Sequence, residues 1–246
     1  MANSLSFNGI DLSVYGLIVK TRGTPVEFTA DSVLVHNISY AGDSKVPPKN
    51  ISLEVAVLGS TVTELKSFMD SIMLILNQPT DEQLILDTQT DRYWLARFKT
   101  LTGGYRGLKF EGALDFTCHD PFAYAVAPSS DATAIANVVA DNAVVDTGGN
   151  ALIRPVYTIL SDAIRVGTNV ILHSDNTDEE IEWTGNLAVG TVLVFNTALW
   201  VVTKNGVEDM ATVDGQFPTL VQGGINLILT AGFTGTLTVT WRDRFC

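Results

Sequence analysis

The chain has 246 residues, of which 46% are hydrophobic and 17% charged, and a net charge of −12 from 15 basic and 27 acidic side chains. That length suffices for one large domain or two small ones, and so low a charged fraction fits a chain that hides surface in an assembly or an all-β domain with a large core. The acidic balance argues against a surface that grips nucleic acid, which needs clustered Lys and Arg, and no apolar run reaches the ~18 residues of a membrane helix.

The opening MANSLSFNGIDLSVYG has no basic stretch followed by an apolar core. No signal peptide is expected, and the protein reads as soluble and made in the cytoplasm. The two cysteines, Cys118 and Cys246, suggest no disulfide framework. In chain order, Ile51, Leu53, Val55 and Val57 alternate with Ser52, Glu54 and Ala56, a strand with one buried face. Val62, Leu65, Met69, Ile72 and Leu76 then recur at spacings of three and four, one face of a helix. Thr61 and Glu64 make a capping box at its start, and Pro79 is expected to end it. Leu84-Ile-Leu and DTQTDRYWLARF follow. Gly103-Gly104 is the expected turn into a second alternating run, Leu108, Phe110, Leu114 and Phe116, closing a long hairpin.

Composition changes near residue 126. The aromatic-rich HDPFAYA gives way to VAPSSDATAIANVVADNAVVDTGGN, which has no aromatic, Lys or Arg. Residues 126–150 are therefore expected to be a linker and first strand region, between a first domain at 1–125 and a second at 151–246. The later part shows Val156 to Leu160 alternating, then Val170-Ile-Leu, Ile181-Glu-Trp, Thr191 to Phe195, Trp200-Val-Val, Asn226 to Leu229 and Thr236 to Trp241. Turn pairs such as Asn205-Gly206 and Gly223-Gly224 separate these runs. The fold class expected is an α+β first domain, with strands, one helix and a long hairpin, followed by an all-β sandwich. Residues 1–125 carry 10 basic and 14 acidic side chains and residues 126–246 carry 5 and 13, so the second part is the more acidic.

No reactive constellation emerges. His36, His119 and His173 lack a second histidine at ligand spacing, and Cys118-His119-Asp120 in a strand would point to alternate faces, away from a common metal. Asp175, Asp178, Glu179, Glu180 and Glu182 lack the alternating ligands and central glycine of an EF-hand and suit a solvated hairpin tip. No Gly-x-Ser-x-Gly, P-loop or His-Glu-x-x-His occurs. Trp94, Trp183, Trp200 and Trp241 suit a core more than a sugar platform. Asn37-Ile-Ser matches a glycosylation acceptor without a secretory context to use it. No catalytic residue, metal or cofactor is expected.

Three segments carry a resemblance. They are ISLEVAVLGSTVTELKSFMDSIMLIL; DRYWLARF with LKFEGALDFTCHDPFAY; and DGQFPTLVQGGINLIL with GTLTVTWRDRF. In this order and spacing they resemble the distal tail (Dit-like) proteins of siphophages, most strongly at 51–124 and 214–245. The motif positions are Asp91, Arg92 and Tyr93; Asp120, Pro121, Phe122 and Tyr124; and Phe217, Pro218, Gly224 and Asn226. The resemblance implies a non-catalytic virion protein of the tail tip, a homo-hexamer whose first domain forms a ring between the tail tube protein and the tail hub protein of the baseplate. DNA would pass through as cargo, favoured by an acidic channel lining. The second domain would be a galectin-like or carbohydrate-binding-module-like β-sandwich that attaches receptor-binding or side-fibre proteins. The alternative is a glycan-binding module that touches the host surface directly. From the residues alone, Asp120-Pro121 should fix the chain where the last strand of the first domain stops. Asp91 and Arg92 should sit at a turn and pair locally or across subunits.

Overall fold

The computed structural model describes residues 4–20, 47–136, 140–143, 149, 151–174, 177–220, 225–229 and 234–245. It divides into two compact units, Met1–Val126 and Ala127–Cys246. His36, Asn37, Asp175, Gly223, Gly224 and Cys246 lie outside the described residues.

In the first unit the strands are β1 (Leu5–Phe7), β2 (Ile10–Asp11), β3 (Leu17–Val19), β4 (Lys49–Leu58), β5 (Glu82–Leu86), β6 (Arg92–Arg106), β7 (Lys109–Cys118) and β8 (Ala123–Ala125). They join in the order β2-β1-β5-β6-β7-β4-β3, with β8 also on β6. Every pairing is antiparallel. The alternation in β4 holds from Ile51 to Val55, with Ser52 and Glu54 exposed between buried residues; beyond it Val57 is buried as expected, but so is Ala56, expected on the open face.

The helix α1 (Val62–Leu76) begins at Thr61, whose side chain accepts from the Glu64 N–H at 3.1 Å. The Glu64 carboxylate takes the Ser60 N–H at 2.6 Å. Leu65, Met69, Ile72 and Leu76 are buried, but Val62, the first residue of the helix, is 55% exposed. The helix stops at Leu76 with Asn77 as its cap, ahead of Pro79. The Gln78 side chain donates to the Ile75 carbonyl at 3.1 Å, taking up one of the acceptors that a helix end leaves open.

The long hairpin forms, but not at the glycine pair. Gly103 and Gly104 lie inside β6, and the turn falls at Gly107-Leu108, where Gly107 takes φ +64°. Gly103 is paired instead with Gly112 of β7. A Cβ on Gly112 would lie 2.0 Å from the Thr102 carbonyl oxygen, so the glycines serve close backbone approach.

The second unit contains β9 (Ser129–Ala136), β10 (Ala140–Ala143), β11 (Val156–Ser161), β12 (Arg165–Ser174), β13 (Glu179–Leu187), β14 (Val192–Asn196), β15 (Val201–Lys204), β16 (Val207–Glu208), β17 (Val213–Gly215), β18 (Ile225–Leu229) and β19 (Thr234–Trp241). One sheet runs β16-β15-β14-β11-β19-β9 and the other β10-β18-β12-β13-β17. Tyr157, Phe195 and Val239 from the first share one hydrophobic cluster with Leu172, Ile181 and Trp183 from the second. Ser129–Ala136, inside the expected linker and first strand region, is a strand that pairs along its whole length with β19. Asn205 (φ 51°) and Gly206 (φ 79°) make the left-handed pair of a tight hairpin turn, as their sequence predicts.

Candidate functional site

The first two groups of motif residues, about thirty positions apart in sequence, meet around the start of β6. Arg92, Tyr93 and Trp94 pair with Ala125, Tyr124 and Ala123. The rings of Tyr93 and Tyr124 stack at 5.6 Å and 22°. Asp91 and Arg92 pair with each other locally at 3.2 Å, and the Val126 N–H donates to the Asp91 carbonyl at 2.9 Å.

Asp120-Pro121 is an interruption rather than an exit. Strand β7 leaves β6 at Thr117, opposite Arg97, and the chain returns to β6 at Ala123, opposite Trp94. Between them Asp120 accepts the Phe122 N–H at 3.2 Å through Oδ1 and the Tyr124 hydroxyl through Oδ2. Pro121 has no N–H to continue a ladder, so the chain bulges out and Asp120 steers it back. Sequence reasoning found the residues but not the return, since the partner strand lies about thirty positions upstream.

Cys118, His119 and Asp120 do not converge. Burial pushes the Cys118 thiol up to about 12, which leaves it a poor nucleophile at neutral pH. His119 Nδ1 faces Asp81 Oδ2 at 2.9 Å, and Arg97 Nε sits 3.0 Å from the other oxygen of that carboxylate.

At the hairpin end of the first unit, Glu111 is ringed by cations: Lys109 at 2.5 Å, Lys20 at 2.6 Å and Arg106 at 3.8 Å. Hydrogen bonds from Lys109 and then Lys20 hold its carboxyl down at about 2, against an ordinary 4.5. The folded value lies below the unfolded one, so the stabilisation is complete above pH 4.5 and is lost as pH falls toward about 2. Glu111→Gln should flatten the acid limb of the unfolding temperature across that window, and added salt should shrink the difference between the two proteins.

In the second unit, Phe217 and Pro218 are buried, in a segment anchored at its next residue. Glu179 Oε2 accepts from the Thr219 N–H at 2.7 Å, the Thr219 hydroxyl at 2.6 Å and the Thr177 hydroxyl at 2.8 Å. Glu179 thus leaves the solvated acidic tip expected of its neighbours, because a buried backbone N–H requires an acceptor. Asn226 lies in β18, paired through its backbone with His173 and Asn142; its side chain, like Gly224, lies outside the described residues.

Trp200 also departs from expectation. Trp94, Trp183 and Trp241 are buried at 8% exposure or less, while Trp200 is 53% exposed and holds φ +58°. A left-handed backbone costs a residue with a Cβ roughly 1–2 kcal/mol. Phe217 packs against its ring in a T-shaped contact with centroids 5.8 Å apart, and the Arg154 guanidinium lies over the ring, 5.4 Å from its centre. At the other end of the β14–β15 hairpin are the exposed side chains Val189 and Val207, with Ile164 on the neighbouring loop and Val166 at the start of β12.

No protein-family model matches the sequence, and no curated protein matches it. The crystal structure of SPP1 Dit (gp 19.1), described as a paradigm of the hub adsorption apparatus in Gram-positive infecting phages, aligns with a TM-score of 0.76 at 18% identity. The alignment covers 100% of both chains. The chain has a Dit-like fold. A chain of the phage P2 baseplate, in its activated conformation with Ca, aligns at a TM-score of 0.46 and 11% identity over 99% of this chain and 98% of that one, too low to add to the assignment. The Dit-like fold takes in both units, so the strand break at Asp120 and the Phe217 corner each belong to a unit with a counterpart in SPP1 Dit.

Proposed function

We propose that this chain is a structural distal tail protein of a long-tailed phage. It forms a hexameric ring through its first unit, joins the tail tube to the baseplate hub, and lets DNA pass. The observation that carries this reading is the Dit-like fold over the full length of both chains. The net charge of −12 suits a wall past which DNA slides without sticking. The second unit is the attachment domain, a galectin-like sandwich at the periphery. Its exposed Ile164, Val166, Val189 and Val207 offer an apolar end to receptor-binding or side-fibre proteins. The chain has no catalytic activity of its own, a reading supported by the raised thiol of Cys118.

Native mass spectrometry of the chain, alone and mixed with the adjoining tube and hub proteins, tests the assembly. Six copies are expected in the mixture. A stable ring of a number other than six or three would falsify the reading. A second reading, direct contact of the second unit with host-surface glycan, is favoured by one observation, the exposed Trp200 beside Arg154.

A further inference from the structure

Trp200 is placed by its surroundings rather than left over from the core. Asn196 Oδ1 accepts the Ala198 N–H at 3.2 Å and the Leu199 N–H at 3.1 Å, which fixes the turn before it. The Thr197 hydroxyl donates to the Pro155 carbonyl at 2.7 Å, tying that turn to the segment that carries Arg154. The indole is thus held at the surface by a rigid corner, with Phe217 buried behind it. Arg154 is exposed and makes no ion pair among the described residues, in a half of the chain that has only 5 basic residues against 13 acidic.

From this arrangement we propose that Trp200 and Arg154 form a binding platform for a pyranose that carries an anionic group. The guanidinium, which lies over the indole ring, moves aside to take the carboxylate or phosphate through paired N–H donors, and the indole face it leaves takes the C–H face of the sugar ring. Both halves are needed. An indole alone would accept any apolar face, and a lone exposed Arg would release a small anion into salt. Pre-organisation favours a weak ligand, because no loop has to be ordered on binding.

A protein partner is the competing occupant, since Trp and Arg are also frequent anchors of interfaces. The surroundings speak against it. A stable interface buries roughly 800 Å² per partner around an apolar centre. Beside Trp200 the exposed large apolar side chain is Leu199, whereas Val189 and Val207 lie at the far end of the hairpin. The proposal does not depend on the ring assignment, and it is read on the second unit whether or not rings form.

Fluorine NMR of the full chain labelled with fluorotryptophan gives one resonance for each of its 4 tryptophans. Glucuronate, α-glucosyl phosphate, glucose and inorganic phosphate would be titrated separately. Glucuronate or α-glucosyl phosphate is expected to move the Trp200 resonance with a Kd on the order of 1 mM, and glucose about tenfold more weakly. The two charged sugars distinguish a uronic acid from a sugar phosphate as the natural group. Arg154→Gln should bring the charged sugars to the level of glucose, and Trp200→Ala should remove the response while the buried Trp183 signal stays in place. Inorganic phosphate alone should leave every signal unmoved. The proposal fails if no sugar moves Trp200, if phosphate alone reproduces the shift, or if Arg154→Gln leaves the preference for charged sugars intact. It fails equally if Trp200 proves silent to sugars but necessary for capture by another tail protein.

Discussion

Trp183→Ala should lower the melting temperature of the second unit by on the order of 15 °C, since emptying a buried indole site costs about 3–5 kcal/mol. Trp183 is fully buried in β13, between Val170 of β12 and Val213 of β17 in the sheet. It shares its cluster with Tyr157 and Phe195 of the facing sheet, so its ring fills space between the layers. The fit is close: a Cβ on Gly185, two positions along the same face, would come within 2.5 Å of the indole. Surrounding strands pinned on both sides cannot collapse into the gap, which places the loss at the high end of the range. The indole N–H also donates to Asp209 at 3.1 Å. Trp183→Phe keeps most of the ring volume but removes that donor, and should cost roughly 1–2 kcal/mol beyond the packing change. Scanning calorimetry is the check. A Trp183→Ala protein that melts like the parent would mean that the two sheets do not share this core.

Gly112→Val should destabilise the first unit by about 3 kcal/mol, the upper part of what overpacking a fitted site costs. The clash is with backbone, not with a movable side chain: the Thr102 carbonyl oxygen lies 2.0 Å from the position a Cβ would take. Gly112 is paired on one side with Gly103 of β6 and on the other with Val55 of β4. Any shift that relieves the clash is therefore passed to two strands. Gly104→Val is the matched control, since nothing lies within 4 Å of its added Cβ; it should change stability by no more than about 0.5 kcal/mol. Equal effects of the two substitutions would refute the close-approach account of the glycine pair. If the first unit makes the ring, Gly112→Val should also reduce ring formation in native mass spectrometry at temperatures where Gly104→Val does not.

The candidate sites were partly legible. Asp91 to Tyr93 and Asp120 to Tyr124 stand out as two dense motifs, but nothing local shows that Tyr93 and Tyr124 stack, because that contact depends on β8 returning to β6. Phe217 is recognisable as part of an ordered turn; its support of Trp200 joins positions 17 apart through a fold, not a repeat. The Glu111 cluster was invisible for the same reason, since Lys20 reaches it from 91 positions away. A signal for Trp200 did exist: it follows Asn196, a residue type that caps turns through its side chain, so a turn was the better reading there than the start of a strand.

By itself the sequence determined what depends on neighbours along the chain. The period-two burial of Ile51 to Val55, the capped helix at Thr61 and the left-handed turn at Asn205-Gly206 all follow from side-chain spacing and backbone preference within a few residues. The tertiary structure alone decided what depends on which strand meets which. It moved the hairpin turn from Gly103-Gly104 to Gly107-Leu108, gave the strand expected after residue 126 its partner in β19, and sent β8 back along β6. It also sorted four similar tryptophans into three that fill cores and one that faces solvent. Hydrophobicity sets only the tendency to be covered, whereas the covering surface is supplied by residues far away in the chain.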